Sequence, residues 1–262
     1  MNHRHLKNSA GFTLIEILIA MAISGMVMTG IYQAYVQQMR VNNTQNQVVD
    51  MQQSVRVAMH FMEREIRLAG LDPSGLADSG IDVASANAIT ISMDITGGEV
   101  DGIDNDGDGN VDDAEEWYDR IPEQTIYALS NDANPQDGMN DALFGVNNNP
   151  CHLMRNGQRL ASNIDALNFV YLGVDDTDPT CVENCLLVNP TSPQERRNIR
   201  SVQITIVARA GETIPGLSMP YTDVNTYYNQ PIAGNIILPA QNDGFRRTRL
   251  ISEVRSRNIG LL

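Results

Sequence analysis

The feature that most constrains this chain is the run GFTLIEILIAMAISGMVMTGIYQAYV, Gly11 to Val36, whose 25 residues after the glycine carry a single charge, Glu16. At about 1.5 Å per residue, a helix of this run is about 38 Å long and can cross a hydrocarbon core of about 30 Å with some tilt. Glu16 is out of keeping with such a span. A carboxylate at membrane depth costs about 2.5 to 3.5 kcal/mol even on lenient scales, so it marks either a functional contact or a run that does not span. Ahead of it lies MNHRHLKNSAG, basic through Arg4 and Lys7 and free of acid. That is the charge sign expected of the side left in the cytoplasm.

Two ordinary readings fit poorly. A secretory signal would take Phe12 to Ile19 as its apolar region and Ala20 and Ala22 as its cleavage site. It would then hold Glu16 inside that region, and the run continues past the cut through Ile23, Met26, Val27, Met28 and Ile31. A plain membrane anchor leaves Glu16 without a role.

The stretch GFTLIEILIA resembles the cleavage and methylation signature of type IV prepilins, in which a short basic leader ends in glycine, phenylalanine follows, and glutamate stands fifth in the mature chain. The resemblance implies that Gly11 precedes the cut, that Phe12 becomes the N-methylated terminus, and that Glu16 is the assembly glutamate. Gly25 also falls where these proteins usually have a glycine. Gln33 stands where many major pilins have a helix-breaking proline, so this helix has no such break. The resemblance further implies processing by a prepilin peptidase, a single pass through the inner membrane with the head in the periplasm, and contact with other major and minor pilins in a pilus at the cell surface.

The helix is expected to outrun the membrane. Val48, Met51, Val55, Met59, Met62, Ile66 and Ala69 are spaced by three and four and form one stripe, with Asn, Gln, Arg and Glu on the other face. Gly70, Asp72 and Pro73 form a stop signal. Phe12 to Leu68 is therefore expected to be one helix about 85 Å long. The resulting divisions are a cleaved leader at 1–11, a transmembrane half at 12–36, an amphipathic half at 37–70 and a β-rich head at 71–262.

Past Gly70 the pattern changes to period two. Ala88 to Ile95 places Ile89, Ile91, Met93 and Ile95 on one face, and Ser201 to Arg209 does so with Val202, Ile204, Ile206 and Ala208. Shorter strands are expected at Thr125 to Ser130, Leu153 to Arg155, Ala166 to Tyr171, Asn235 to Leu238 and Thr248 to Val254. Together they predict an α+β, pilin-like fold in which an antiparallel sheet packs on the helix stripe. Asn131 to Pro150, Asp175 to Pro193 and Pro215 to Gly234 read as long loops. This order, closed by FRRTRLISEVRSRN, is similar to the PilW-type minor pilins. With 42% apolar residues the chain can build a core, and 32 acidic against 18 basic residues (net charge −14) argue against binding nucleic acid through a broad basic surface.

A second motif is DNDGDGNVDDAE, Asp104 to Glu115, which fits D-x-[DN]-x-[DN]-G-x5-E at every position. A hard cation of calcium's size takes six to eight oxygens. Asp104, Asp106 and Asp108 would supply carboxylates, Asn110 a backbone carbonyl, Asp112 a water-mediated contact and Glu115 a bidentate grip. Gly97 and Gly98 exclude the incoming helix of an EF-hand, so residues 104–115 are expected to be a calcium loop in another frame. Glu99 to Asp119 holds ten carboxylates and no Lys or Arg, which would repel one another without a cation. The alternative is a solvated acidic loop.

Of the three cysteines, Cys181 and Cys185 are four apart and are the preferred disulfide. A bridge from Cys151 and a zinc site using His152 are the alternatives. There is no CxxCH motif for covalent haem. His3 and His5 lie in the leader, His60 lies on the long helix, and His152 has no serine or carboxylate motif around it, so no catalytic group is expected and the chain does not read as an enzyme. The expected role is a minor pilin of a type IV pilus. A type II secretion pseudopilin, or a calcium-dependent adhesin at a pilus tip, would share the N-terminus.

Overall fold

The computed structural model describes residues 11–72, 79–94, 123–130, 151–176, 185–187, 190–210, 221–229 and 234–259. The chain divides into two compact units, Met1–Gln47 and Val48–Leu262. The part of α1 from Val48 onward belongs to the second unit.

Helix α1 spans Leu14–Leu68. It starts at Leu14 because Thr13 serves as its N-cap, Oγ1 accepting from the Glu16 amide at 3.3 Å. No residue in the run interrupts it, in keeping with Gln33 in place of proline. It stops where expected. Gly70 has φ +78°, the left-handed conformation that closes many helices, and its amide donates to the Ser92 carbonyl at 3.0 Å. A side chain there would also crowd Ile259.

In the second unit the stripe Met51, Val55, Met59, Met62, Ile66 and Ala69 is buried, joined by Ala58. The reading of Glu as confined to the outer face needs correcting at Glu65, which is buried. It lies three residues after Met62 and four before Ala69, on the stripe itself, and packing there requires a partner for its charge.

The stripe packs with a sheet built from β1 (Ile81–Ala84), β2 (Ala88–Met93), β3 (Glu123–Ser130), β4 (Cys151–Arg155), β5 (Gln158–Gly173), β6 (Cys185–Leu187), β7 (Ile199–Arg209) and, after a further strand pair, β10 (Arg247–Arg255). Among the described residues the order is β1-β2-β3-β4-β5-β7-β10, with β6 also pairing β5, and every pairing is antiparallel. Ile89, Ile91 and Met93 face the core as their alternation predicts, as do Val202, Ile204, Ile206 and Ala208.

Several expectations are corrected. β5 is much longer than Ala166 to Tyr171 because its first half pairs β4 and its second half β7, with a bulge near Asn163 (φ +61°) between them. Asn235 to Leu238 does not join the main sheet. Instead β8 (Tyr227–Tyr228) and β9 (Ile236–Leu238) form a two-stranded sheet whose Ile237 and Leu238 meet Ala166 and Val207 on the face away from the helix. β6 and β8 fall in stretches read as loops, and β1 and the short helix α2 (Pro193–Arg197) are further elements.

The second cover explains why β7 is buried on both faces. Gln203 and Thr205 donate to the Asn229 carbonyl, the latter at 2.9 Å. Arg247 holds the same region: Nε reaches Asp165 Oδ2 at 2.5 Å, Nη1 reaches Asp223 at 3.1 Å and Asp243 at 2.6 Å, and Nη2 reaches Asp243 at 2.7 Å. Five donors in a planar fork let one buried cation serve three carboxylates.

Candidate functional site

The expected processing and assembly site is the start of α1. Phe12 is 87% exposed, and Leu14, Ile15, Ile17, Leu18 and Ile19 behind it are exposed as well. The apolar first half of α1 buries nothing, and α1 is long and apolar enough to cross a membrane. Soluble monomers rarely leave so continuous an apolar surface uncovered.

Thr13 is a residue that the prepilin signature does not assign and that the structure places at this site. Glu16 Oε2 accepts from the Thr13 amide at 2.8 Å and from Thr13 Oγ1 at 2.9 Å, while the Glu16 amide donates back to Oγ1. This is a reciprocal capping box, which satisfies two amides that a helix start otherwise leaves open. Its signal, [ST]-x-x-E ahead of an apolar run, is present in TLIE. Glu16 is thereby held one turn from Phe12, its carboxylate directed back toward the chain's expected new terminus. Gly11 lies open, with nothing within 4 Å of the position a Cβ would take. Leader residues 1–10 lie outside the described residues.

The expected calcium ligands Asp104, Asp106, Asp108, Asn110, Asp112 and Glu115 also lie outside them, as does Cys181. Cys185, at the start of β6, is disulfide-bonded. Cys151 is a buried thiol on β4, and burial first, then the charge of Asp165, push its pKa up, against a smaller opposing effect of Arg209. Raised in this way, the thiol is a poor nucleophile. Among the described residues no three His, Cys, Asp or Glu side chains gather to hold a metal, so the zinc alternative at His152 gains no support there.

Residues 6–32 match the family described as the prokaryotic N-terminal methylation motif. The chain carries a prepilin methylation motif. The matched residues include Gly11, Phe12, Thr13 and Glu16, the residues whose geometry is given above. Among solved structures the chain is similar to a type IV-like pilin from Thermus thermophilus, at 12% identity and a TM-score of 0.42, over 79% of this chain and 97% of that one. No curated protein matches the chain.

Proposed function

We propose that this chain is a minor pilin of a type IV pilus: a structural subunit that is cut after Gly11 by a prepilin peptidase, N-methylated at Phe12, held in the inner membrane by α1 with its head in the periplasm, and then assembled with other pilins. The observation that carries the reading is the methylation motif at residues 6–32, whose described part runs into the exposed apolar first half of α1, where Glu16, the one carboxylate before Asp50, is kept beside the expected cleavage site. In lipid, Glu16 needs an opposite charge, and the ammonium of a processed Phe12 on a neighbouring subunit supplies one. The head adds a calcium loop at 104–115 and a disulfide between Cys181 and Cys185. The bonded state of Cys185 and the thiol of Cys151 support that pairing.

The capping box allows a sharper test than deletion of the carboxylate. Glutamine at the third helical position still closes a capping box but carries no charge. Glu16→Gln and Glu16→Ala are both expected to be inserted and cleaved but to enter filaments poorly beside the wild type, and Thr13→Val, which weakens only the cap, is expected to enter them. Normal incorporation of Glu16→Gln would leave Glu16 as a helix cap and remove its proposed role in assembly.

A further inference from the structure

In a chain of net charge −14, one end of the head concentrates positive charge. A cleft of about 400 Å³ opens there between β1, α2, the start of β7 and the final turn, lined by Ser79, Asp82, Gln194, Arg196, Arg197 and Arg200 among others. Arg196 donates through Nε to the Ile81 carbonyl at 2.9 Å and through Nη1 to the Thr191 carbonyl, and Arg200 Nη1 donates to the Arg197 and Ile199 carbonyls at 2.7 and 3.2 Å. Among the described residues no carboxylate pairs with either. Backbone carbonyls thus hold both guanidinium groups in place without neutralising them and leave further N–H donors of each unused.

The carboxylate on the cleft wall is already engaged. Asp82 accepts from Ser92 Oγ at 3.0 Å and from Gln124 Nε2 at 3.1 Å. Ser79 contributes a buried hydroxyl with no hydrogen-bond partner among the described residues, a group that costs free energy until something meets it. The chain brings more cations to the same corner: the Arg257 amide meets the Arg67 carbonyl at 3.5 Å, the Ser256 amide meets the Arg200 carbonyl at 3.2 Å, and Arg67, Arg255 and Arg257 are exposed.

We propose that this cleft binds a sugar bearing a phosphate or sulfate group. Arginine forks held in place but without an acid are the usual means of gripping a tetrahedral oxyanion. The volume exceeds what a bare ion needs and lies in the range of small-ligand pockets. This site belongs to the head alone and does not depend on how α1 is processed or assembled.

The test uses the full chain in detergent and titrates it by calorimetry with glucose 6-phosphate, a sulfated dextran oligosaccharide, uncharged dextran and inorganic phosphate. Binding of the first two is expected, weakening as sodium chloride is raised. Arg196→Gln with Arg200→Gln is expected to weaken it about tenfold or more. Gln194→Glu removes no contact that holds the fold and adds one negative charge to the wall, so it serves if the double variant does not fold, and it is expected to weaken binding severalfold. The proposal is overturned if neither anionic sugar binds, if both variants bind as the wild type does, or if uncharged dextran binds equally. It is likewise overturned if inorganic phosphate binds as tightly as the sugar phosphate, which would make the ligand the bare ion. A response to the sugar phosphate alone or to the sulfated oligosaccharide alone, lost in the variants, supports the site and identifies which source it serves.

Discussion

Glu65 of α1 and Arg155 of β4 meet as a forked ion pair: Arg155 Nη2 lies 2.7 Å and Nε 3.0 Å from Glu65 Oε1, and the other carboxylate oxygen accepts from the buried hydroxyl of Tyr127 on β3. The carboxylate side is 7% exposed and the guanidinium side 37%. Water therefore reaches one partner and hardly the other. This makes the contact directional in its energetics, since losing the arginine strands a charge while losing the glutamate frees one to be hydrated.

Arg155→Ala should destabilise the second unit by about 2 kcal/mol, less than for a fully enclosed pair because Arg155 is partly hydrated already. Tyr127→Phe, which leaves the ion pair in place, should cost about 1 kcal/mol. Urea denaturation of the full chain in detergent gives both values. Equal costs would contradict the reading that Arg155 neutralises a stranded charge while Tyr127 adds only a hydrogen bond.

The pH response should be marked on the alkaline side. Burial first, then the hydrogen bond and charge of Glu65, push the Tyr127 phenol well above its ordinary value, and burial does the same to Tyr171. A phenol raised in the folded state contributes its full stability below the unfolded pKa of about 10 and loses it as pH rises toward the folded value. Stability should therefore fall above about pH 10. In Tyr171→Phe, compared with its own value at pH 8, the fall should be shallower. An unchanged slope in that variant would show that other groups cause it.

The proposed calcium loop carries its own test. At tenfold excess over the dissociation constant, a ligand that binds only the folded state stabilises it by about 1.4 kcal/mol, visible as a rise in melting temperature. Asp106→Ala with Glu115→Ala should abolish that rise and leave the calcium-free melting temperature unchanged or slightly higher, because carboxylate repulsion is relieved. A melting curve indifferent to both calcium and chelator would make residues 104–115 a solvated acidic loop.

The elements legible in the sequence are those whose cause is local. The stripe from Met51 to Ala69, the stop at Gly70 and the alternation of β2 and β7 all follow from residue spacing. What spacing could not convey is set by distant partners. Glu65 is tolerable on the buried stripe only because Arg155, 90 residues away, reaches it, and Gln203 and Thr205 read as a solvent face until the Asn229 carbonyl covers them. The candidate site divides in the same way. Gly11, Phe12, Glu16 and the capping partner Thr13 lie within six residues and are readable as a motif, whereas the arginine cleft draws on residues from Gly70 to Ile259 and has no local signature.

Processing at the start of α1 is tested most directly by one measurement: the intact mass and N-terminal sequence of the chain after coexpression with a prepilin peptidase. The prediction is a mature chain that begins at Phe12 and carries one methyl group on its amine, with a bulky substitution at Gly11 leaving the chain uncut. A chain that stays whole, or is cut near Ala20 to Ala22 as a secretory signal would be, would contradict it.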